Sequence, residues 1–276
     1  MNLGKITAFA TCAVCFSAST ALAGRGDPPA ILPKAMQALG ERVKADAPKW
    51  RQELPRDEQG RPLVRVERFT KAAPRLRYDS RKVRGMLLET LEQAGVGVTE
   101  DDPRALVLQS SLQQTSMTFE SGERQTTSTV TYRLIDPVRV VVVCAVRVSD
   151  GPVAPALEGA VKSLLEKLSA QAKRGWGAKT RLTDGRPTLM LGMLSGRTQP
   201  PFDRKGAKDY VEAALVNSGH VIVAADVEPD PEIAVEQQFG TLTLRGTVGQ
   251  VEGELEVTLE LHDVLTRKTL FEVTGK

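Results

Sequence analysis

The chain is short of the residues that most often carry chemistry. It has three cysteines, two histidines and 4% aromatic residues. Cys12 and Cys15 fall in the first 23 residues, which leaves Cys144 alone in the rest. A single cysteine closes no internal disulfide. Within "VRVVVVCAVRV" it reads as a small core residue of a strand, not a nucleophile. His220 and His262 stand far apart, and neither has a Cys or carboxylate at ligand spacing, so a zinc site is not expected. Two Trp and three Tyr are too few for the stacking platforms that hold single-stranded nucleic acid. There is no long basic block either, although "GRGDPP" and "AKRGWGAKTR" are locally basic. No nucleophile elbow, P-loop or calcium loop occurs, and "LGMLSGRT" lacks both the glycine spacing and the lysine of a phosphate cradle. Asp101, Asp102, Asp230 and Glu232 lie beside prolines and read as turn or cap residues. Ser195 follows a strand and Ser218 ends a helix, with no evident base for either. The expectation is a non-enzyme with no catalytic residue, no cofactor and no metal.

What is present begins with an address. "MNLGKITAFATCAVCFSASTALA", Met1 to Ala23, has one Lys, an apolar middle and Ala21-Leu22-Ala23 ahead of Gly24. That is the form of a secretory signal peptide cut after Ala23. The apolar run is too short and too broken by Ser and Thr for a good membrane span. Neither Cys12 nor Cys15 closes a good lipobox. The expected location is periplasmic or secreted, with an outer-membrane lipoprotein and a retained anchor as alternatives. Beyond the leader, 36 basic residues face 34 acidic ones in interspersed order. The whole chain is 41% apolar and 26% charged, enough for a sizeable core.

A repeated pattern organises the remainder. "YDSRKVRGMLLETLEQAG" (Tyr78 to Gly95) returns as "FDRKGAKDYVEAALVNSG" (Phe202 to Gly219), with the aspartates and the final glycines both 124 residues apart. Asp79 and Asp203 are N-cap candidates. Val83, Met86, Leu87, Leu91 and Ala94 form one helical stripe; Ala207, Tyr210, Val211, Ala214, Leu215 and Ser218 form the other. Gly95 and Gly219 suit a left-handed helix stop. A strand precedes each helix, "PLVRVERF" or "PTLMLGML", and a short one follows, "VGVT" or "HVIVAA". Each copy then runs through "RALVLQSSLQQ" or "GTLTLRGTVGQ" into a β-branched hairpin, with Asp136 and Asp263 at matching turns. "TSMTFESGERQTT" would form a long polar hairpin end, and "EPDPEIAVEQQF" a helical turn.

The predicted fold class is α+β: two tandem similar domains, each a small mixed sheet of about four to five strands covered by one or two helices. The divisions are a signal peptide at 1–23, a flexible segment with a short helix at 24–61, the first repeat at 62–174, a linker at 175–186 and the second repeat at 187–276. The helix "PALEGAVKSLLEKLSAQAKRGW", with its stripe of Leu157, Val161, Leu164, Leu165 and Leu168, is assigned to the first repeat, covering its sheet or packing between the domains.

"PFDRKGAKDYVEAALVNSGHVIVAA", followed by "TLTLRGTVGQ" and "LEVTLELHDVLTRKTLFEV", resembles the penicillin-binding protein activator family typified by LpoB. It is similar also to the wider group that holds the curli-secretion lipoprotein CsgG and the amino-terminal domain of TolB. Asp263 and Thr266 stand at the group's hairpin turn, with Lys268 near its usual glycine and Phe271 at its aromatic position. The resemblance covers Pro187 to Lys276 best and Pro62 to Val148 more weakly. It implies an exported, non-enzymatic envelope protein that docks on a protein partner, a peptidoglycan synthase in the activator case. No contact residue of the family maps onto a motif here. The alternatives left open are a structural subunit of an envelope secretion or flagellar assembly, and a hydrolase or ligand-binding protein with an interdomain site. Nucleic acid is not an expected partner, and oligomeric state is left undefined.

Overall fold

The computed structural model describes residues 28–71, 78–118, 124–176, 180, 182–198, 202–228 and 241–276. The signal peptide lies outside the described residues, as does all but the first residue of the helical turn expected at 228–239. The first half contains α1 (Ile31–Asp46), a 3-10 turn (Ala47–Lys49), β1 (Leu63–Val66), β2 (Thr70–Lys71), α2 (Ser80–Gln93), β3 (Gly97–Thr99), β4 (Leu106–Thr118), β5 (Arg124–Asp136) and β6 (Val141–Ser149). The second contains α3 (Pro155–Arg174), β7 (Leu182–Thr183), β8 (Arg186–Gly196), α4 (Arg204–Ser218), β9 (Ile222–Ala224), β10 (Leu242–Val251), β11 (Glu254–Asp263) and β12 (Lys268–Gly275).

The fold is mixed α/β. The strands form one large sheet in the order β12-β11-β10-β8-β9-β6-β5-β4-β1-β3, with β2 attached to β4 and β7 to β8. The sequence predicts two small sheets; the described strands instead form a continuous one. They are joined at β9, which pairs parallel with β8 and antiparallel with β6, Val141 facing Ala224 and Val142 facing Val223. The pairing satisfies backbone groups that two separate sheet edges would leave open.

One strand order occurs on both sides of that joint: β3-β1-β4-β5-β6 and β9-β8-β10-β11-β12. The finer geometry also coincides. Each closing hairpin skips a residue at the same place: Leu134 faces Cys144 while Ile135 faces Val142, and Leu261 faces Phe271 while His262 faces Thr269. Val140 and Arg267, at φ 53 and 56, hold the same left-handed turn position. Asp136 and Asp263 each accept the backbone N–H three residues on, from Arg139 at 3.2 Å and Thr266 at 2.9 Å. Asp79 caps α2 by accepting from Arg81 and Lys82, and Asp203 caps α4 by accepting from Gly206.

The helices cover the sheet in two groups on opposite faces, α1 and α2 on one and α3 and α4 on the other. Leu32, Leu39, Leu87 and Leu91 of α1 and α2 pack on Leu106, Leu108, Tyr132 and Leu134. Ile31, Trp50 and Leu54 join the same core, so the segment leading into β1 packs into the first half. Leu157, Leu164 and Leu168 of α3 pack with Val211 and Leu215 of α4 on Leu244, Leu259 and Val273. Thus α3, which follows the first half in sequence, buries its stripe on β11 and β12 of the second. Among the described residues no helix is long and apolar enough to cross a membrane.

Contact between α3 and β12 is close enough to test. A Cβ on Gly275 would lie 2.0 Å from the Ala156 carbonyl oxygen and 2.5 Å from the Ala160 nitrogen. At the matching place on β6, opposite Val130 as Gly275 is opposite Val257, stands Val148. Gly275→Val therefore imports the first half's residue into a space that helix backbone already fills. The expected loss is about 1–3 kcal/mol, read as a fall in the urea midpoint.

Candidate functional site at the seam and the hairpin

The joint between the halves is built by α4, which is buried on two sides. Ala207, Val211 and Leu215 face the second core. Ala213 turns the other way, onto Val107, Ile135, Val142 and Ala145 of the first half. Polar groups frame this small apolar patch. The Arg133 Nη2 donates to Glu212 Oε2 at 2.9 Å, and Nε lies 2.6 Å from Oε1 as an ion pair whose angle falls short of a hydrogen bond. Thr131 donates to Asp209 Oδ2 at 3.3 Å. The Arg147 guanidinium sits 5.8 Å from the centre of the Tyr210 ring.

Burial pushes the Glu212 carboxyl above its ordinary value, against the opposing pull of Arg133. Burial likewise raises Asp209, against Lys205, Thr131, Arg133 and Arg147. A carboxyl whose folded pKa is raised binds protons in the folded state before the unfolded chain does. Its stabilising contribution is complete below the unfolded pKa and is lost as pH rises through the folded one. These two groups should therefore add folding stability as pH falls from 7 toward the ordinary Glu value of 4.5. Asp226 runs oppositely, being lowered by Lys208, so its contribution is lost as pH falls through its own folded value. Urea midpoints at pH 7 and pH 5 check this: the midpoint rises at pH 5, and Asp209→Asn with Glu212→Gln removes the rise.

A cleft of about 570 Å³ opens beside the seam, between the turn after α1, the β5–β6 and β7–β8 turns and the end of α4. It is the place to look for an interdomain site. Its aspartates are already engaged: Asp46 by Arg42 and Lys49, Asp136 by Arg51, and Asp184 by Arg139. These cation-bound carboxylates hold the turns that line the cleft. His220 follows Gly219 at the cleft's rim, whereas His262 lies on β11, three strands along from β9. His262 Nε2 is 3.0 Å from Glu260 Oε2, and its Nδ1 is 3.1 Å from Thr269 Oγ1. The histidines are not brought together. Cys144 is wholly buried, and that burial pushes its thiol up to about 12. Among the described residues no group of three or more His, Cys, Asp or Glu is placed to hold a metal ion.

The long polar hairpin of the sequence is carried by β4 and β5. Their register runs from Val107 opposite Ile135 to Thr118 opposite Arg124. β6 accompanies β5 only as far as Thr129, and β2 flanks β4 only at Ser111 and Leu112. The outer parts of β4 and β5 thus form a two-stranded ribbon beyond the sheet, open at both edges among the described residues. Ser116 and Thr126 share a 3.0 Å hydrogen bond across it. Residues 119–123 lie outside the described residues.

Sequence spacing points to this ribbon but not to the seam. Arg133, Asp209 and Glu212 meet only through the fold, Arg133 and Glu212 being 79 residues apart. No protein-family model matches the chain, and no curated protein matches it. Two solved structures are similar to part of it. The LpoB C-terminal domain from Escherichia coli aligns at 13% identity over 43% of this chain and 96% of its own, with a TM-score of 0.32. The LpoB C-terminal domain from Salmonella enterica aligns at 13% identity with the same coverages and a TM-score of 0.31.

Proposed function

We propose that the chain is an exported, non-enzymatic cell-envelope protein that binds a protein partner, and that the partner is a peptidoglycan synthase of the penicillin-binding type. In this proposal the chain carries tandem copies of one unit within 62–174 and 187–276, with α3 of the first stretch packed on the second. The leader's signal form and the family resemblance of Pro187 to Lys276 support export and the class of partner. The observation that carries protein binding is the β4–β5 ribbon, whose open edges can accept an extended segment as an added strand.

The test places a photo-crosslinking residue at Ser116 or Thr126 of the full chain, in the cells that make it. The expected product is an adduct with a peptidoglycan synthase, and the purified chain should raise glycan polymerisation by that synthase. An adduct confined to other envelope proteins removes the synthase; absence of any adduct removes the ribbon as the docking site. Light scattering on the purified chain separates the alternative: a ring-sized oligomer supports an assembly subunit, a monomer the adaptor.

A further inference from the structure

The two halves treat the sheet's outer face differently. In the first, α4 lies across it, and Thr129, Thr131, Ile135 and Ala145 are buried. The shared register matches these four to Glu256, Thr258, His262 and Glu272, and matches Arg133 to Glu260. No helix among the described residues covers this second face. Glu272 and Thr274 are exposed, and Met190 and Met193 on β8 expose 41% and 63% of their surface. Thr258 and Thr274 are hydrogen-bonded across the strands at 3.1 Å, and Lys276 lies 3.4 Å from Glu256, so the face is internally ordered.

We propose that this face docks one α-helix of a partner protein, carrying Lys or Arg opposite Glu260 and Glu272 and an apolar residue against Met190 and Met193. The precedent is inside the molecule. At the first half's outer face, Arg133 takes a glutamate from a crossing helix. At the same cross-strand position the second half presents a carboxylate, which calls for a helix of opposite sign. Arg245, next to Glu260 on β10, would meet an acidic or polar residue of that helix. A second copy of the chain is a poor occupant. Its counterpart of α4 is α2, whose exposed Glu89 and Glu92 stand where α4 has Ala213 and Val216. They would meet Glu272. In addition Lys268 and Thr269 replace Val141 and Val142, the residues of β6 that receive β9.

The inference rests on the protein-binding proposal but not on the ribbon or on the synthase. Photo-crosslinking residues at Thr258 and Thr274 of the full chain, in the native cells, test it, with Ser116 on the ribbon as the parallel arm. The expected adduct maps to a helical segment of the partner that contains Lys or Arg. Glu272→Lys should lower its yield at least tenfold, and reversing the partner's cation to Glu should restore it. Glu272→Gln, a gentler change at an exposed position, should give a partial loss; unchanged thermal unfolding shows that either variant folds. An adduct indifferent to both charge changes, one with a second copy, or none at the face while the ribbon still captures its partner, overturns this inference alone. No adduct at either surface overturns the protein-binding proposal as well.

Discussion

Arg133→Met is expected to destabilise the chain by about 3–5 kcal/mol at neutral pH, measured by urea unfolding. The arginine leaves behind Glu212, whose side chain is only 5% exposed and which loses its cation. Arg133 itself is 19% exposed, so solvent screening discounts the loss only modestly. The double change Arg133→Met with Glu212→Leu removes both charges and should recover most of the stability, because an apolar pair of similar volume avoids the desolvation that both ions bear. Acid should rescue the single variant more than the parent. Burial already raises the Glu212 carboxyl, and without Arg133 nothing comparable opposes it. Its charged form is then the destabilising one, and protonation removes it. A single variant as stable as the parent at pH 7 would mean that the seam is not held by this pair.

Why two halves share one strand order yet differ at their ends follows from a few positions. Ile135, Val142 and Ala145 of the first half form an apolar seat for Ala213. Their register counterparts His262, Thr269 and Glu272 form no such seat. The first outer face is therefore completed within the chain, and the second is left more polar and uncovered among the described residues. The edge strand carries the same logic: Lys268 stands where β6 has Val141, and a lysine on an open edge discourages strand addition.

The features legible in the sequence are those that depend on near neighbours. A cap needs its aspartate and the amides two or three residues on, so Asp79 and Asp203 could be assigned at once. Gly95 and Gly219 adopt φ 84 and 67, as helix-stopping glycines do. The Asp136 and Asp263 turns likewise rest on local hydrogen bonds. What the sequence conceals is partnership at distance. The stripe of α3 fits either sheet equally well by periodicity, and only the fold directs it to β11 and β12. Glu212 on a helix reads as a solvated charge until β5 brings Arg133 to it. Even one local signal lies inside the stretch expected to be a linker. Asp184 and Gly185, at φ 52 and 74, turn β7 back onto β8, and Asp-Gly is a known hairpin pair.

Asp136→Ala is the other change expected to cost about 3–5 kcal/mol, and its effect should reach across the seam. The carboxylate is almost fully buried, and Arg51 holds it with Nε at 2.8 Å from Oδ2 and Nη2 donating to Oδ1 at 3.1 Å. Oδ1 also accepts from the Val138 and Arg139 amides at 3.0 and 3.2 Å. Alanine would strand a guanidinium that is 12% exposed and leave two turn amides without their acceptor. Asn keeps an acceptor for the turn but not the charge for Arg51, so Asp136→Asn should fall between parent and Ala. Beyond stability, this turn ends in Val140, whose carbonyl accepts the Ala225 amide at 2.8 Å, and leads into the two residues of β6 that pair with β9. Loosening the turn therefore loosens the only strand pairing, among the described residues, that joins the halves. Amide exchange at Ala225 and Val223 should accelerate in Asp136→Ala by more than exchange at Leu259 in the second core. Equal acceleration at all three would show that the turn supports global stability alone and does not govern the joint.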